Sequence, residues 1–171
     1  MKKLFLLIAI LLPAAPMLSA QPIVPVQGKM VTREDYQRYE QDVVKTIDWL
    51  QETPWKQDPQ LYSKATSFLF KWIQGTPTIT MELMPPLVDL TDQNNKLMAS
   101  FIGGYTKYAI QHPVYLKEDA NMAAVKALFD KYRAEPDHKK DSDIEHLLKL
   151  EKEGTLKDWV INEYEKVTQN Q

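Results

Sequence analysis

The chain of 171 residues contains no cysteine. That excludes disulfide staples, thiol nucleophiles, thiolate metal ligands and the lipid-bearing cysteine of a bacterial lipoprotein. Histidine is scarce too, with only His112, His138 and His146. A metalloprotease helix needs two histidines four apart around a glutamate; the nearest pair here, His138 and His146, is eight apart and spans a helix start. No metal site and no cofactor are therefore expected. Only 5 glycines occur, and Gly103-Gly104 lacks the spacing and the strand-to-helix setting of a phosphate cradle. Ser63, Ser67, Ser100 and Ser142 all lie in helical patterns or caps, and none stands in a Gly-x-Ser-x-Gly turn. No catalytic residue is assigned. The longest basic cluster, Lys139-Lys140, is too short to track phosphates, which excludes nucleic acid as a partner. Nor does any apolar run reach the roughly 20 residues that a membrane-spanning helix needs.

What is there begins with an export signal. Lys2 and Lys3 precede an unbroken apolar run, Leu4 to Leu12, which Pro13 ends. Leu18-Ser19-Ala20 then offers a cut before Gln21. Residues 1–20 are read as a cleaved signal peptide, 21–31 as an extended leader around Pro22 and Pro25, and 32–168 as one helical domain. The expected location is outside the cytoplasm, periplasmic or secreted. Losing the two lysines of the signal leaves 19 basic against 23 acidic residues, a net charge of about −4. A domain of this size buries about 70% of its unfolded surface and can hold together by packing alone.

Apolar residues recur at spacings of three and four, the mark of amphipathic helices. Thr32 caps a first helix with Tyr36, Tyr39, Val43, Ile47 and Leu50 on one face, stopped by Pro54. Asp58 and Pro59 open a second, which Gly75 and Pro77 close. From Thr76 to Met84 the period drops to two, with Thr78, Thr80 and Glu82 alternating with Ile79, Met81 and Leu83, a strand-like pattern. A long helix is expected from Asp89 to Gln111. Gly103-Gly104 inside it costs about 1 kcal/mol per glycine against alanine, so close approach of another helix is expected there, or else a kink. The run Asp92-Gln93-Asn94-Asn95 fails as a calcium loop, having Leu97 at the sixth position and Gly103 at the twelfth, and reads as a polar helix face. Further helices run from Asp119 to Ala134, from a Ser142–Glu145 capping box to Gly154, and from Thr155 onward. The fold class is all-α: a single-domain bundle of about six helices with one short extended segment near 77–84.

Three phrases carry a resemblance: Phe70 to Thr80 (FKWIQGTPTIT), Phe101 to Tyr108 (FIGGYTKY) and Leu147 to Gly154 (LLKLEKEG). They resemble a family of short secreted or periplasmic helical proteins of Bacteroidota with no known activity. The resemblance covers most of the chain beyond the signal and implies a Gram-negative envelope setting; it carries no site residues.

Candidate contact residues are few. Trp55 lies outside both neighbouring stripes, so it either pins its link to the core or marks a contact surface. Ile79, Met81, Glu82 and Leu83 form a possible pairing edge, through which the chain would join a second copy or another envelope protein. Glu82, the one acid of that segment, is partly buried or faces water. The expected function is a non-enzymatic exported binding or interaction protein. The alternatives are a small periplasmic hydrolase using dispersed carboxylates and a carrier of an apolar ligand, for which the tryptophans and Tyr105 and Tyr108 would line a groove.

Overall fold

The computed structural model describes residues 29–81 and 85–169, with side chains to Glu163. Residues 1–28, which hold the expected signal peptide and nearly all of the expected leader, lie outside the described residues, as do Glu82 and Leu83. Eight helices are present among the described residues: α1 (Arg33–Arg38), α2 (Glu40–Glu52), α3 (Pro59–Gly75), α4 (Pro85–Asp89), α5 (Leu97–Gln111), α6 (Lys117–Ala134), α7 (Ser142–Glu153) and α8 (Leu156–Gln169). No β-strand occurs among these residues. The domain is all-helical, and none of the described helices is long and apolar enough to cross a membrane.

Of the two helices beyond the expected six, one comes from a break in the first expected helix at Tyr39, and the other is α4, a single turn that opens at Pro85-Pro86 ahead of the expected start at Asp89. Thr32 caps α1 as expected, its hydroxyl accepting from the Asp35 amide while the Asp35 carboxylate accepts from the Thr32 amide. The helix then breaks at Tyr39. The Tyr36 carbonyl accepts the indole N–H of Trp72 at 3.0 Å and the Tyr39 amide at 3.1 Å, a tighter turn than α-helix. The long helix expected from Asp89 instead starts at Leu97. Residues 90–96 form turns, with the Thr91 hydroxyl donating to the Val88 carbonyl at 2.8 Å. Asn94 is buried, not on a polar helix face. Its side-chain amide donates to the Lys139 carbonyl at 2.8 Å and accepts from the Lys139 amide at 2.7 Å. Short polar side chains compete with the helical ladder in this way. The start of α7 also differs by one residue. Asp141, not Ser142, is the cap, accepting from the amides of Asp143 and Ile144, and Glu145 accepts from the Tyr132 hydroxyl instead of closing a capping box.

The second expected helix stands as α3. Asp58 accepts from the Leu61 amide at 3.0 Å and Pro59 takes the first helical position. At the centre of the domain, α5 buries Leu97, Phe101, Ile102, Tyr105 and Ala109. It packs most extensively on α6 and next on α2, while α7 and α8 pair with each other and α8 leans on α6. The glycine pair makes the close approach that its cost implied. A Cβ on Gly104 would lie 2.6 Å from the Ala127 Cβ and 2.7 Å from the Ala123 carbonyl oxygen, and one on Gly103 would lie 3.0 Å from Ile47.

Candidate functional site

A groove opens between α3 and the turns that lead into the start of α5. The face of α3 next to its core stripe carries Ser63, Thr66, Ser67 and Phe70, with Pro59 and Tyr62 at its start. Thr91, Asn95, Lys96, Met98 and Ala99 form the opposite wall, and the groove between them holds about 600 Å³. That is within the range of small-molecule sites. Lys96 is the only charged side chain among these lining residues, which include no carboxylate and no imidazole. The Thr66 hydroxyl oxygen is buried and has no hydrogen-bond partner.

A buried ionic cluster closes the Tyr62 end. Lys131, in the last turn of α6, and Glu135, the residue that caps its C-terminus, are 2% and 1% exposed. The Lys131 ammonium donates to the Thr53 carbonyl at 2.5 Å and lies 3.5 Å from the Glu135 carboxylate. Glu135 in turn accepts from the Trp55 backbone N–H at 2.9 Å. Burial holds the pKa of Lys131 below its ordinary value, against the opposing pull of Glu135. The same desolvation pushes the Tyr62 phenol far up. Two ammonium groups share this aromatic corner. Lys131 sits 5.7 Å from the Tyr62 ring centroid, and Lys96 lies 5.8 Å from Trp55 and 5.9 Å from Tyr62. Lys96 has no carboxylate partner in an ion pair among the described residues. With both lysines charged and one glutamate facing them, the corner carries a net positive charge.

Trp55 therefore pins its link: it is buried, and its backbone is tied to Glu135. Ile79 is buried in the core and Met81 is packed against it, while Thr78 and Thr80 are exposed, as the alternation implied. The Thr80 carbonyl accepts from the Tyr105 hydroxyl and the Thr78 amide donates to the Thr76 hydroxyl, so side chains serve this backbone in place of a neighbouring strand. Tyr105 and Trp72 are core residues. Of the aromatics considered for a groove, Trp49, Trp55, Trp72 and Tyr105 thus went into the interior.

The histidines do not converge. His112 stacks on Tyr108 with ring centroids 4.1 Å apart, and His138 lies against Tyr132. His146 stands in a smaller cleft of about 270 Å³ with Asp89, Asp143 and Trp159. No group of three or more possible metal ligands is found among the described residues.

The groove and the buried pair both escape a reading by apolar spacing. Ser63, Thr66 and Ser67 are at helical spacing, and a hydroxyl stripe on a helix was the one signal available for the groove. Lys131 and Glu135, at i and i+4, look like any solvated surface pair; such residues are almost never fully buried unless paired. No protein family, no characterised protein and no solved structure matches this chain.

Proposed function

We propose that this chain is an exported, non-enzymatic binding protein of a bacterial envelope. The observation that carries the reading is the groove between α3 and residues 91–99, of ligand size and with Lys96 as its sole charge. A wall without carboxylate or imidazole offers no acid–base pair for hydrolysis, whereas hydroxyls, an amide and an ammonium beside apolar surface suit recognition. The export signal at residues 1–20 and the resemblance to envelope proteins of Bacteroidota support the location. Self-association through residues 77–84 is a weaker route to partners, because Ile79 and Met81 are engaged by the core.

Crosslinking and pull-down from native periplasm or culture medium tests the reading. The expected result is a reproducible partner or a co-purifying ligand, with a mature chain that starts at Gln21. A protein that stays in the cytoplasm with Met1 in place, and brings nothing with it, overturns the proposal. The cleft at Asp89, Asp143 and His146 favours a second reading, a hydrolase using dispersed carboxylates. Hydrolytic activity that is lost in both Asp89→Asn and Asp143→Asn would establish it.

A further inference from the structure

We infer that the groove takes a single-chain anionic amphiphile, an alkyl carboxylate, with its head at Lys96 and its tail along α3 toward Phe70. The inference rests on the binding reading above and names the ligand class.

Three features of the groove converge on that chemistry. The first is charge. The Tyr62 corner holds two ammonium groups, Lys96 and Lys131, against one carboxylate, Glu135, which Lys131 and the Trp55 amide already occupy. One monoanion at Lys96 balances the corner, and the absence of any acid on the groove wall removes the repulsion that would deter it. The second is polarity along the length. Away from Lys96 the groove carries no further charge, the Ser67 hydroxyl donates to the Ser63 carbonyl of its own helix at 2.8 Å, and the walls run on to Phe70 and Met98. This gradient suits a molecule charged at one end only. The third is reach. From Tyr62 to Phe70 is eight residues of helix, roughly 12 Å, which an extended chain of about ten carbons covers.

The purified mature chain, delipidated, is titrated with dodecanoate and with dodecanol as its uncharged counterpart. The same titrations use Lys96→Gln and Ser67→Trp, both at exposed positions, so both variants are expected to fold. Saturable one-to-one binding of dodecanoate is expected. Lys96→Gln should weaken it roughly tenfold by removing a charge-assisted contact, while leaving dodecanol unchanged. Ser67→Trp, which fills the groove, should abolish both. Equal binding of the two probes, unaffected by Lys96→Gln but blocked by Ser67→Trp, overturns the anionic head and leaves an apolar-ligand groove. Binding that neither variant alters places the amphiphile elsewhere and overturns the site. No binding of either probe overturns the ligand class. If Ser67→Trp then also disrupts a partner recovered by crosslinking, the groove is a protein-docking surface and the binding reading survives without this inference.

Discussion

The two flanks of α5 are built on opposite terms. Toward α6, Gly104 brings the backbones so close that a single added carbon would meet both a side chain and a carbonyl oxygen. Toward α3, the first turn of this helix and the residues just before it edge a groove of about 600 Å³ that Lys96 overlooks. Small residues facing small residues, Gly104 against Ala123, Ala124 and Ala127, permit dry helix contact and high packing density. On the α3 wall the Ser67 hydroxyl donates to the Ser63 carbonyl of its own helix at 2.8 Å, so it needs no partner from a neighbouring helix. One flank is thus closed by packing, and the other stays open.

That contrast can be broken most severely at its shared boundary, the buried pair at the C-terminal end of α6. Glu135→Ala strips Lys131 and the Trp55 amide of a partner at once, and a loss of about 3–5 kcal/mol in chemical denaturation is expected. Lys131→Met combined with Glu135→Gln should recover much of it. If Glu135→Ala costs no more than a surface change, the pair does not hold the link. The pair also sets a pH dependence. Because burial lowers the Lys131 pKa, the folded protein gives up this proton earlier than the unfolded chain, whose lysine titrates near 10.5. Between those two values the unfolded state binds more protons, so the Lys131 contribution to stability rises with pH. Tyr62 acts with the opposite sign, and only above its ordinary 10.0. The rise is therefore read below pH 10, and Lys131→Met should flatten it.

Gly104→Leu tests the closed flank directly, with an expected loss of about 3 kcal/mol as α5 and α6 are forced apart. An unchanged melting temperature would mean that the two helices are not held at this distance. Asn94→Ala should cost about 1–2 kcal/mol by removing both bonds to Lys139, with faster amide exchange confined to residues near 135–141. Ser67→Trp, on the open flank, should change stability by less than about 0.5 kcal/mol, as expected of an exposed position. A large loss there would show that the groove wall is packed in solution, and would erase the difference between the two sides.

By itself the sequence determined the helical class, the limits of α3, the Thr32 cap and the close approach at Gly103-Gly104. These follow from periodicity, capping chemistry and the cost of glycine in a helix, all of which act over a few residues. Only the tertiary structure decided where α5 begins, because Asn94 leaves the helical pattern for a backbone 45 residues away. Tertiary contacts likewise made Lys131 and Glu135 interior residues and turned Trp55 into a pin, since Thr53 and Trp55 supply the backbone groups that make their burial affordable. The groove belongs with these. A polar stripe on one helix lines a groove only where a neighbouring segment stands off from it, and α3 alone does not set that distance.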